Sequence, residues 1–127
     1  LLDHTDSRWF YSRARCLYEL ERYDAAIADY DQFLEAEPAD HQAREERGIC
    51  FYNVGDYYEA LQDFEFALPY NAAEPWFWHY RAFAYQGDGE FDLAVANFDR
   101  LLQLTPDAEA WFGRGTALHY AERHLEA

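Results

Sequence analysis

At 127 residues, half of them hydrophobic and one-fifth aromatic, the chain is long enough for one compact domain or a short array with a real core. Ten Phe, eleven Tyr and four Trp need burying, which excludes intrinsic disorder in spite of a formal charge of −15. Acidic residues outnumber basic ones 25 to 10, every basic residue is Arg, and a field of that sign repels nucleic acid and anionic membrane while permitting a basic partner.

In chain order, residues 1–6 read as the tail of an earlier helix, and the chain, which starts at Leu1 and contains no Met, reads as a piece of something longer. Apolar periodicity then predicts amphipathic helices near 7–20 and 24–36, and the same pair returns near 41–54 and 57–68. A third pair is predicted near 75–87 and 91–104, and a last helix near 108–121. Gly55-Asp56 and Gly87-Asp88-Gly89 break the chain inside the second and third pairs, and Asp56 with Glu59 reads as a capping box. Pro69 falls inside a predicted helix and is expected to end or bend it early. No apolar run approaches the roughly 18 residues of a membrane span, no basic segment leads into a signal-like apolar stretch, and two Cys cannot frame a secreted scaffold. A cytoplasmic location is therefore expected.

The helices share one register. Small residues recur at Ala14, Gly48, Ala82 and Gly115, and again at Ala26, Ala60, Ala94 and Ala127, in steps of 34, 34 and 33. Aromatics recur at Tyr23, Tyr57 and Phe91 and at Tyr30, Phe64 and Phe98; Pro38 and Pro106 close the first and third units, with Ala72 in the second. With Trp78, Ala82, Tyr85, Ala94, Phe98 and Pro106 in place, and Trp111, Gly115 and Leu118 after them, the pattern resembles the tetratricopeptide repeat (TPR) family. The resemblance implies an all-α, right-handed α-solenoid of antiparallel helix pairs, about three and a half repeats cut from a longer array. The repeats would run 7–40, 41–74 and 75–107, with 108–127 as the first helix of a truncated fourth.

One departure from the family signature is itself repeated. Arg13, Arg47, Arg81 and Arg114 stand where the family has Leu, and the matching second-helix sites carry Asp29, Asp63 and Asn97. This predicts a ladder of Arg–Asp pairs between packed helices, the alternative being an Arg stripe gripping an anionic ligand.

Catalysis finds no constellation. The five His, at 4, 41, 79, 119 and 124, lack HExxH spacing, and Gly113-Arg114-Gly115 lacks the lysine and context of a phosphate loop, so no metal, no cofactor and no enzyme activity are expected. Cys16 and Cys50 stand where later repeats have Ala84 and Ala117, and read as small buried spacers.

What the resemblance implies instead is a concave groove built from the first helices. It would display Tyr11, Arg15 and Tyr18, then Glu45, Glu46, Ile49 and Tyr52, then Trp76, His79, Tyr80 and Phe83, and finally Phe112 and His119. That face is aromatic with an acidic middle, which suits a partner peptide or helix of basic and apolar character. Some TPR domains hold acidic chaperone tails through a carboxylate clamp; its sites here carry Tyr11, Arg15, Glu46, Trp76 and Tyr80, of which only Arg15 is cationic. The expected function is thus a protein–protein interaction module, the alternatives being a structural spacer, a self-association segment or the non-catalytic arm of a multidomain enzyme.

Overall fold

The structure, a computed structural model, describes residues 6–126 in backbone and 6–123 in side chain. Among these residues there are seven helices and no strand: α1 (Ser7–Glu19), α2 (Tyr23–Ala36), α3 (His41–Val54), α4 (Tyr57–Asn71), α5 (Pro75–Gly87), α6 (Phe91–Leu104) and α7 (Ala108–Glu126). The starts of the odd-numbered helices follow the same register as the core. Asp6, Asp40 and Asp107 each accept a backbone N–H, from Arg8 at 3.1 Å, Ala43 at 2.9 Å and Ala110 at 3.2 Å, so one orphan donor of each first turn is satisfied by a side chain. Glu74 makes no such bond, but Pro75 opens α5 with one fewer N–H to satisfy.

The turns inside the repeats are equally regular. The N–H groups of Arg22, Asp56 and Glu90 reach back to the carbonyls of Leu17, Phe51 and Tyr85 at 2.8, 2.9 and 2.9 Å. These are Schellman closures, which need a left-handed residue in the turn. Gly55 (φ 87°) and Gly89 (φ 81°) supply it, and in the first repeat Glu21 does so at φ 61°.

The chain divides into two compact units, Leu1–Ala67 and Leu68–Ala127. In the first, Ala14, Ala26, Tyr30, Phe33, Leu34, Ala43 and Cys50 form the core, with Phe10, Tyr11, Leu17, Tyr18, Tyr23 and Ile27 packed around it. In the second, Ala82, Ala94, Phe98, Leu101, Ala110 and Ala117 are buried, under Trp78, Phe83, Tyr85, Phe91, Val95 and Leu102. The small residues let helix backbones approach closely, and the aromatics fill the space that remains. Gly48 shows how closely: a Cβ there would stand 2.8 Å from the Phe64 ring of α4.

Some sequence expectations need correction. Pro69 does not end α4, which runs on to Asn71, because the backbone bond it forfeits lies in the last turn. The helix predicted to stop near 121 continues to Glu126, since no Gly or Pro follows His119. Asp6 belongs to the start of α1; the rest of the proposed preceding tail, and Ala127 of the small-residue series, lie outside the described residues. Cys16 is exposed rather than a buried spacer, because no described element precedes α1 to cover it; Cys50 is fully buried.

Candidate functional site

Within the first unit, Glu46 organises the first-helix residues. Its carboxylate accepts hydrogen bonds from the hydroxyls of Tyr30 at 2.9 Å and Tyr11 at 3.2 Å and from the Gln42 amide at 3.3 Å. The Arg15 guanidinium lies 3.4 Å away and also reaches the Tyr11 hydroxyl. Burial pushes the Glu46 carboxyl above its ordinary pKa, against the lowering effect of Tyr30, Arg15, Tyr11 and Gln42. Burial first, and then the Glu46 charge, pushes the Cys50 thiol up to about 12, so that sulfur is inert as a nucleophile. Glu46 is therefore an internal acid and not the open negative charge that the sequence suggests. Ile49 is buried at 7% exposure, and Glu45 is mostly covered, 3.7 Å from His41. Tyr18 and Tyr52 turn their rings edge-on to Tyr23 and Tyr57 at the start of the next helix, at 6.2 and 5.7 Å. What stays open on α1 is a shallow recess lined by Tyr11, Ser12, Arg15, Cys16 and Glu19.

In the second unit the first-helix residues form an aromatic row. Trp76 meets Tyr80 at 6.5 Å, His79 meets Phe83 at 4.9 Å, and Phe83 sits edge-on to Phe98 at 4.9 Å. His79 Nε2 lies 3.4 Å from the Glu109 carboxylate, which is an ion pair when the imidazole is protonated. Phe112, at the register of Tyr11, Glu45 and His79, is 78% exposed; His119 is exposed beside Tyr120.

The Arg series forms the expected ladder. Arg13 grips Asp29 through Nε and Nη2 at 2.6 and 2.8 Å, and Arg47 grips Asp63 in the same way at 2.8 Å twice. Arg81 donates to the Asn97 oxygen at 3.2 Å. The partners lie within each repeat, and a second set reaches the preceding repeat: Arg47 Nη1 donates to Asp31 at 2.8 Å and Arg114 Nε to Asp99. Arg13, Arg47 and Arg114 are engaged by carboxylates and Arg81 by the Asn97 amide, which disfavours the ligand-stripe reading. Sequence reasoning missed this second set, although Asp31 and Asp99 stand two repeats apart, and it missed the Asp6–Asp40–Asp107 capping series.

A family model described as tetratricopeptide repeat matches residues 9–74 and 81–127. The chain belongs to the TPR family. Among solved structures, it resembles the first TPR of Spaghetti (RPAP3) bound to the HSP90 peptide SRMEEVD, at 18% identity, with 99% of this chain and 98% of that one covered and a TM-score of 0.75. It resembles the second TPR domain of human RPAP3 in complex with the HSP70 peptide SGPTIEEVD at 20% identity, covering 85% and 91%, with a TM-score of 0.72. The 41-end form of MamA from Desulfovibrio magneticus RS-1 matches at 19% identity over 97% of this chain and 76% of that one, with a TM-score of 0.78. At such identities these likenesses establish the TPR fold and nothing finer. No curated protein sequence matches the chain. TPR chains are in general non-catalytic protein-interaction modules. Among the described residues no three His, Cys, Asp or Glu side chains group as a metal site needs, and no helix is long and apolar enough to cross a membrane.

Proposed function

We propose that this TPR chain is a protein-interaction module whose first-helix residues take a partner segment carrying Arg or Lys beside apolar side chains. The observation that carries the reading is Phe112, a large aromatic left 78% exposed, with the Glu109 carboxylate 65% exposed one turn before it. An aromatic face beside a carboxylate suits a cation that brings its own apolar neighbour, through cation–π attraction and buried area. The charge of −15 adds a field that speeds the approach of a basic segment. Glu46 does not contribute, since its charge is absorbed by Tyr30, Tyr11 and Arg15. An acidic tail of the kind held by the RPAP3 domains is disfavoured, because Arg15 is the one cation at the clamp sites and it already faces Glu46 and Glu19.

A peptide array at low salt, followed by titration of the hits, tests the reading. Basic–apolar peptides should bind, Phe112→Ala should weaken them about tenfold, and Glu109→Gln should flatten the salt dependence. Hits confined to acidic tails, binding indifferent to Phe112→Ala, or no binding at all would each overturn it, the last in favour of a spacer.

A further inference from the structure

The second helix of each repeat keeps one ridge, its residues four apart, turned outward. In α2 the ridge is Asp24, Ala28 and Gln32, and in α6 it is Asp92, Ala96 and Arg100. All six are exposed although α2 packs on both α1 and α3, and α6 on both α5 and α7. The ridge thus stays open when both neighbouring helices are in place. In α4 the same ridge is Tyr58, Gln62 and Phe66, all exposed, with Tyr58 at 61%. The other two repeats fold with polar and small residues there, so packing does not call for these rings. Elsewhere on the surface, Arg is what covers an outward ring. The Arg13 guanidinium lies 4.3 Å from the centre of the Trp9 ring, and that of Arg44 lies 4.4 Å from Phe66. Among the described residues no guanidinium stands over Tyr58. Beside it are two exposed acids, Asp56 and Glu59.

We infer that this outward ridge of α4 is a docking surface for an amphipathic helix of a partner protein that lays an Arg on Tyr58 and aliphatic side chains along Gln62 and Phe66. A guanidinium over Tyr58 gains the face of the ring and the charge of Glu59 together. Arg44 already has that combination, from Phe66 and from the Asp63 carboxylate 3.8 Å away. Arg44 also donates twice to the Pro38 carbonyl, at 3.2 and 3.1 Å, and so holds one end of the ridge in place. A helix fits because a row of residues four apart is the ridge that seats in the groove of another helix. From Tyr58 to Phe66 the ridge runs about 12 Å, two turns of such a partner. A second copy of this chain is a poor occupant. Two chains of charge −15 repel, and a symmetric contact would bring Asp56 and Glu59 of both copies together. Lying on a second helix, the ridge is separate from the first-helix site proposed above and does not depend on it.

The probe is an Ala-rich helical peptide with Arg, Leu and Leu four residues apart on one face, titrated into the whole chain while backbone amide NMR signals are followed. Saturable shifts are expected at Tyr58, Glu59 and Gln62. Tyr58→Ala should weaken binding about tenfold, and so should replacing the peptide's Arg with Gln. Glu59→Ala installs the residue that the first repeat carries as Ala25, and should flatten the salt dependence. Both positions are exposed, so unchanged helicity verifies the fold of each variant. Phe112→Ala, which tests the function proposed above, should leave the α4 shifts intact, so the two readings fail separately. Four results would overturn the inference: no saturation up to about 1 mM, shifts confined to α5 and α7, binding indifferent to Tyr58→Ala, or a concentration-dependent dimer of the chain abolished by Tyr58→Ala, which makes a second copy the occupant.

Discussion

A carboxylate with 13% of its side chain exposed must recover from protein donors the hydration it gives up, and Glu46 does so from Tyr30, Tyr11, Gln42 and Arg15. Tyr30 is the buried donor of that set, so Tyr30→Phe should cost roughly 1.5–3 kcal/mol at pH 7, the loss of a hydrogen bond to a charged group, as read by denaturant melts. In an Glu46→Leu background the same change should cost far less, because no charge is left stranded. The pair was legible in retrospect. Tyr30 is the position where the next two repeats have Phe64 and Phe98, and the first-helix sites that follow those two, Tyr80 and Gly113, carry no acid. The hydroxyl appears only where the acid does. A list of groove positions treats each residue as facing out and so overlooks a partner on the neighbouring helix. The same limit applies to glycine. Gly113→Ala should destabilise by about 1–3 kcal/mol through overpacking on Phe98, while Gly115→Ala should stabilise by about 0.5–1 kcal/mol.

Between elements, the Arg–Asp pairs and the turns carry the register. Helix positions, turns and paired helices follow from the 34-residue period, because apolar spacing and glycine position are local properties. The end of α7 and the fate of Pro69 depended on what lies at a helix terminus, where periodicity says least. Asp63 is almost wholly buried, so Arg47→Leu leaves its carboxylate only the more distant Arg44, 3.8 Å away, and should cost on the order of 3 kcal/mol. A double-mutant cycle should show strong coupling of Arg47 to Asp63, weaker coupling to the half-exposed Asp31, and none to Asp29, which belongs to Arg13. In the turns, Glu21 holds a left-handed conformation that Gly55 and Gly89 adopt freely, so Glu21→Gly should stabilise the chain by about 1 kcal/mol. A lower denaturation midpoint for that variant would show that the Glu21 side chain compensates its own strain.

Over the whole chain, buried acids and surface charge act on stability in the same direction. Burial raises the carboxyls of Glu46 and Asp63 above their ordinary values of 4.5 and 3.8. Between those values and the raised ones, the folded chain holds protons that the unfolded chain has released. Their contribution is therefore full below the ordinary values and is lost as pH rises through the raised ones. The excess of 25 acidic over 10 basic residues adds a repulsion that also grows as carboxyls ionise. Tm should then rise as pH is lowered from 7 toward those ordinary values. Salt at about 0.5 M should flatten the part due to surface repulsion, because exposed charges are screened and buried ones are not. The remaining slope should shrink in Asp63→Asn, the residue that the third repeat already carries as Asn97, and shrink further with Glu46→Gln. Composition shows the surface term directly, whereas the buried term needs the packing of α2 on α3 and of α3 on α4 to be known. Scanning calorimetry across that pH range separates the two. A Tm that falls on acidification, or a slope that salt removes entirely, would mean that Glu46 and Asp63 are ionised in the fold as readily as in the open chain.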